Sequence, residues 1–277
     1  MRSSRWGRRT AFLRKGNTMR LSMISLAAMA LASAAPVLAQ DTGVPSPVTV
    51  TGGVTLTTDY RFRGLTQSDE DPAVQGTVTV AHESGFYIGT FASTIDGSGD
   101  TPALTGYGDV EIDFYGGYSK TLDNGLGFDV GLLYYYYADA VDGLNTDFFE
   151  PYAAVTYAIG PVSTKLGAAY AWGGQDGLNF TSSNDDNIYG YFDAGLSIPS
   201  TPVTLKGHVG YTNGSLGLVN PLITDDEYWD WSVGAEAVGG PLKVGVSYVD
   251  TNVTEAGSFA QTLGRGSTVL GYVGFSF

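Results

Sequence analysis

The sequence predicts an all-β protein: a transmembrane antiparallel up-and-down β-barrel of about 12 strands. Three observations predict it. Runs of alternating apolar and polar residues, rich in Tyr, Thr, Val and Gly, recur along the chain, which is the pattern of strands with two different faces. The links between the runs alternate short and long, as in outer-membrane barrels, whose turns are short on one side of the membrane and loops long on the other. The chain also stops inside such a run, "TVLGYVGFSF", on an aromatic residue. Free termini are usually polar and frayed, so an apolar end marks a strand whose pairing continues to its last residue.

Residues 1–39 come first and are set apart. Seven basic residues from Arg2 to Arg20 precede the apolar run "LSMISLAAMALASAAPVLA", which ends on small residues suited to signal peptidase. We expect an export signal that is removed, with Met19 as an alternative start. "GRRTAFLRK" also has the twin-arginine arrangement, although Met19 and Arg20 already complete a general secretory signal. The leader holds seven of the 14 Lys and Arg and none of the 28 Asp and Glu, leaving 7 basic against 28 acidic residues and a net charge of −21 in the remainder. No basic surface is left to neutralise phosphates, which excludes nucleic acid as a partner. Cysteine is absent, which removes disulfides and thiolate metal sites.

Residues 40–277 then read as one domain. Period-two runs fall at 48–63, 73–83, 85–95, 108–121, 125–138, 147–159, 162–173, 187–198, 202–213, 227–238, 241–252 and 268–277. A tilted strand needs about 9–11 residues to cross a bilayer. In the first run Val50, Val54, Leu56, Tyr60 and Phe62 share one face, and Asp59, Arg61 and Arg63 the other. In later runs Val110, Ile112 and Phe114 oppose Glu111 and Asp113; Phe128, Val130 and Leu132 oppose Asp129; Trp229, Trp231 and Val233 oppose Tyr228, Asp230 and Glu236. Lys165, Asp193, Lys206, His208 and Lys243 lie on the more polar parity. No strand charge has to face lipid, where Lys or Arg at the midplane costs roughly 2–4 kcal/mol.

"GLLYYYYADA" places Tyr134 and Tyr136 in an interfacial girdle with Phe149, Trp172, Trp229 and Trp231, and turns Tyr135 and Tyr137 toward the lumen. In the last run Val273, Phe275 and Phe277 share the outward parity. They have the form of the C-terminal signal read by the barrel assembly machinery, and a closed barrel pairs this strand with the first so that no edge is left in hydrocarbon.

The stretch "TTDYRFRGLTQSDEDPAVQG", followed by "GFYIGTFAS", "EIDFYGGY" and "DFFEPYAAVTY", resembles the TorF family of porins. The resemblance covers most of the chain after the leader. It implies an outer-membrane barrel with a channel function, and supplies no catalytic residue and no substrate.

The pore-lining candidates are Asp59, Arg61, Arg63, Glu111, Asp113, Asp129, Glu150, Lys165, Asp193, Lys206, His208, Asp230, Glu236 and Lys243. Arg61 and Arg63, with Gln67, either set ion selectivity near the external mouth or pair with carboxylates of neighbouring strands and fill the lumen. Glu111, Asp113, Asp129 and Glu150 fall on three successive strands with no inward base. An acidic wall would then face a more basic one. His82 and His208 are the two imidazoles, and neither lies at useful spacing for a Ser-His-acid set. The acidic loop runs "SDEDP", "NDDN" and "TDDE" lack the spacing and turn Gly of a Ca²⁺ loop. We expect no enzyme, cofactor or metal.

The expected function is passive diffusion of small polar or charged solutes across the cell outer membrane with a weak preference for cations. The alternative is a closed barrel with an envelope-structural or adhesion role. Expected partners are outer-membrane lipid and lipopolysaccharide, the assembly machinery and small solutes, with homo-oligomerisation left open.

Overall fold

In the computed structural model the described residues are 47–97, 104–178, 185–217, 226–253 and 266–277. The expected export signal at 1–39 and parts of four long loops lie outside them. The strands in chain order are β1 (Val48–Thr57), β2 (Arg61–Phe62), β3 (Leu65–Thr66), β4 (Ala73–His82), β5 (Phe86–Gly97), β6 (Gly108–Thr121), β7 (Leu126–Tyr137), β8 (Phe148–Ile159), β9 (Val162–Ala171), β10 (Asn187–Ser197), β11 (Val203–Gly214), β12 (Glu227–Gly239), β13 (Leu242–Thr251) and β14 (Thr268–Ser276). β1 and β4 to β14 form one closed antiparallel barrel in which β14 returns to β1, while β2 and β3 form a separate hairpin.

Closure uses the apolar C-terminus as its parity requires. Val54 lies opposite Phe275 and Leu56 opposite Val273. Beyond the strand, Phe277 and Gly52 exchange both backbone hydrogen bonds. The ladder therefore runs to the last residue and leaves no unpaired edge.

The two faces separate sharply. On β5 Tyr87 is 3% exposed and its neighbour Ile88 67%. Val130 and Leu132 on β7 are exposed while Asp129 and Leu133 are buried. On the outside Tyr134, Phe149 and Trp172 stack in a row, with centroids 4.5 and 6.1 Å apart. Tyr135 and Tyr137 are buried inside, as the run of four tyrosines predicts.

Inward tyrosines lie flat over glycines of the adjacent strand. Tyr87, Gly117, Gly131 and Tyr152 form one row across β5 to β8. A Cβ on Gly117 would fall 2.6 Å from the Tyr87 Oη, and one on Gly131 2.5 Å from the Tyr152 Cζ. The missing side chains are what let the two phenols meet, 2.5 Å apart.

The first strand differs from expectation. β1 ends at Thr57 instead of continuing to residue 63, because the chain turns inward at Thr58. Tyr60 and Phe62, read as outward on an unbroken strand, belong instead to the segment that forms the β2–β3 hairpin. Tyr60 is buried, with its hydroxyl on Glu111 of β6, and Phe62 packs edge-on against Tyr135 of β7.

Candidate functional site

The site is the outer half of the lumen, where this hairpin crosses the barrel. Its turn is two residues long, since Phe62 pairs with Leu65 and Arg61 with Thr66. Arg63 and Gly64 both have positive φ, 49° and 82°, the combination of a tight hairpin turn that more often carries Asn-Gly. A non-glycine residue in this region is uncommon and persists when its surroundings over-determine it.

They do so here. Arg63 Nη2 donates to both oxygens of Glu150 on β8, at 2.6 and 2.7 Å. Its guanidinium carbon sits 4.3 Å from the Tyr189 ring centroid on β10 and 4.6 Å from that of Phe62. The Tyr228 hydroxyl on β12 donates to the Arg63 carbonyl at 2.9 Å, and Tyr135 donates to Glu150 at 3.0 Å. Gly64 leaves no room for a side chain, because a Cβ there would fall 2.9 Å from the Asp230 Cβ. Anchors thus come from both sides of the lumen.

The base of the segment is held by its own polar residues. Arg61 pairs with Asp59 at 2.5 Å and with Glu70 at 3.0 Å, and Thr66 donates to Asp59 at 2.7 Å. Burial pushes the Asp59 carboxyl up, against the opposing pull of Arg61 and of the Thr66 and Ser68 hydroxyls. Gln67 bonds the backbone carbonyls of Leu65 and Thr66. Asp59, Arg61 and Arg63 do gather near the mouth, but on an inserted loop and not on the wall. Arg63 reaches β8 across the barrel, where pairing with adjacent strands was one expectation.

The remaining candidates line two arcs. On β6 to β8, Glu111, Asp113, Asp129 and Glu150 are all buried. Tyr60 donates to Glu111 at 2.9 Å and Tyr87 to Asp129 at 2.5 Å. One oxygen of Asp113 is buried without a hydrogen-bond partner. On β9 to β13 charges are answered by the wall itself. Register sets Lys165, Asp193 and His208 side by side on β9, β10 and β11. His208 bridges Asp193 at 2.6 Å and Asp230 at 2.9 Å. Lys206 pairs with Glu236 at 2.9 Å, and Tyr272 donates to the same carboxylate. Lys165 lies 5.4 Å from the Tyr191 ring centroid, and Lys243 faces the same arc. Among the described residues no group of three or more His, Cys, Asp and Glu is arranged to hold a metal ion.

Sequence reasoning missed Tyr60 and Phe62 as lumen residues and Tyr189 as the platform under Arg63. The dipeptide Arg63-Gly64 between Phe62 and Leu65 was the available signal. A Gly there suits a two-residue turn, and a turn before residue 65 breaks the long first strand.

Solved structures of two porins share this architecture. The NanC porin in a rhombohedral crystal form superimposes with a TM-score of 0.55 at 12% identity, covering 82% of this chain and 98% of its own. The KdgM porin gives 0.52 at 9% identity, with 82% and 99% covered. The KdgM porin has also been solved in complex with disordered oligogalacturonate. At these identities the likeness concerns the fold. No curated protein matches the sequence. These likenesses bear out the closed barrel implied by the resemblance drawn from "DYRFRGLTQS", and none of them carries the TorF name. The family profile described as bacterial protein of unknown function (Gcw_chp) matches residues 41–272, and the chain belongs to that family.

Proposed function

We propose that this protein is an outer-membrane channel for passive diffusion of small polar or charged solutes, with a weak preference for cations. The observation that carries the reading is the lumen. A closed barrel with an apolar exterior places eight acids, Asp59, Glu111, Asp113, Asp129, Glu150, Asp193, Asp230 and Glu236, against the bases Arg61, Arg63, Lys165, Lys206 and Lys243 around its interior. Both arginines are engaged by carboxylates, which leaves them little field with which to favour anions. Charges lining a pore set which ions enter it. The porin likeness supports a channel, and the oligogalacturonate complex belongs to KdgM alone.

The proposal extends to location and biogenesis. Residues 1–39 are removed on export, the barrel sits in outer-membrane lipid and lipopolysaccharide, and Val273, Phe275 and Phe277 are read by the assembly machinery. We read the protein as a non-enzyme, since His208 is occupied by two carboxylates and the Tyr189 hydroxyl.

Reversal potentials across a salt gradient test the selectivity. We expect a cation preference that fades as salt shortens the Debye length toward about 3 Å at 1 M. An anion preference lost on replacing Arg61 and Arg63 with Ala would overturn it. The hairpin across the lumen favours one second reading, a closed barrel with a structural or adhesion role, which requires that no variant conduct.

A further inference from the structure

We propose that Arg63 occupies a lumenal binding site for a small guanidinium-class cation, and that such a solute opens the channel by taking the place of the β2–β3 hairpin. The inference rests on the channel reading above.

The site is already built around a guanidinium. Glu150 presents both carboxylate oxygens to one nitrogen of Arg63 at 2.6 and 2.7 Å, and the two side chains are 2% and 5% exposed. Tyr189 lies under the guanidinium plane at 4.3 Å from its carbon, where the negative ring face attracts a cation. Tyr135 fixes Glu150 through its hydroxyl at 3.0 Å. These three residues belong to the wall, on β8, β10 and β7, and remain when the hairpin leaves. The aromatic platform beside the carboxylate favours a weakly hydrated, stacking guanidinium over a compact, strongly hydrated ion.

Two further observations point to an exchangeable occupant. The Arg63 Nη1 is buried with no hydrogen-bond partner, so the site leaves part of its present occupant unsatisfied, and one oxygen of Asp113, on the same acidic arc, is likewise buried without a partner. A free guanidinium solute makes the contacts to Glu150 and Tyr189 without being tied to the turn at Arg63-Gly64, whose positive φ belongs to the hairpin itself. Because the hairpin is fixed from β8, β10 and β12 by Glu150, Tyr189 and Tyr228, loss of the first two anchors releases its tip.

Planar-bilayer recordings of the full-length refolded protein test this, with sodium chloride carrying current and methylguanidinium added on the side of the long loops. In the parent we expect open occupancy to rise about tenfold, the factor that loss of one modest anchoring interaction gives in a two-state equilibrium. Potassium at equal ionic strength controls for screening and should leave it unchanged. Arg63→Ala should be open without any addition, and methylguanidinium should now interrupt its current by dwelling at Glu150. Glu150→Gln should be open and indifferent to methylguanidinium. An equal response to potassium, or a Glu150→Gln variant that responds like the parent, would overturn the site and leave the channel standing. Absence of current in every variant, including one whose residues 60–70 are replaced by a short Gly-Ser link, would overturn the channel reading and the site with it.

Discussion

The two arcs of the lumen carry similar acids and neutralise them by different means. On β9 to β13 each partner is fixed to the wall. Lys206 meets Glu236, and His208 sits between Asp193 and Asp230. On β6 to β8 the counter-charge arrives from elsewhere in the chain, because Arg63 answers Glu150 from the tip of a hairpin. Glu111 and Asp129 are met by phenols. The backbones that carry an ion pair between barrel strands cannot move apart without unzipping the barrel, whereas those of a pair made through an inserted loop can. The first arc is therefore held by the wall itself, and in the second Glu111 and Glu150 depend on the position of about a dozen residues while Asp129 is met by Tyr87 of the wall.

Substitutions that remove one member of each pair break this comparison most directly. Glu236→Ala removes the carboxylate that Lys206 pairs with on the wall and should cost about 3–5 kcal/mol, the range for breaking a buried ion pair by removing one partner. Glu150→Ala should cost less than half as much, because Arg63 can carry its charge out to water. Unfolding midpoints of the barrels in lipid vesicles measure both, and equal losses would show that the hairpin is as immobile as a strand.

A smaller pair of effects sharpens the contrast between phenols. Tyr87→Phe deletes the 2.5 Å hydrogen bond to Asp129 and should cost about 1.5–3 kcal/mol, the range for a hydrogen bond to a charged group. Tyr191→Phe removes a hydroxyl that is buried without a partner and should stay within about 0.5 kcal/mol of the parent. The same unfolding series reads both. A Tyr191→Phe loss as large as that of Tyr87→Phe would mean that the Tyr191 hydroxyl is satisfied by bound water.

Much of this was legible in the residues. Strand parity follows from a period of two and from the different solvents on the two faces of a membrane sheet, so Asp129 inward with Val130 outward, and the pairing of Phe275 with β1, are local consequences of the pattern. The same logic placed Glu111, Asp113, Glu150, Lys206 and Glu236 in the lumen. It failed between Thr58 and Thr66, where alternation continues through "DYRFRG" although the chain has left the sheet. Alternation records that successive side chains meet different environments; it does not say that the polar environment is the near wall. Only the closed barrel supplies the distant partners, Glu111 for Tyr60, Tyr135 for Phe62, and Glu150 with Tyr189 for Arg63, that make folding inward more favourable than extending β1. The sequence by itself determined a barrel, its two faces and its ionisable interior. Where Arg63 goes was decided by tertiary structure, because the groups that hold it lie 87 and 165 residues away along the chain and come together only when the sheet closes.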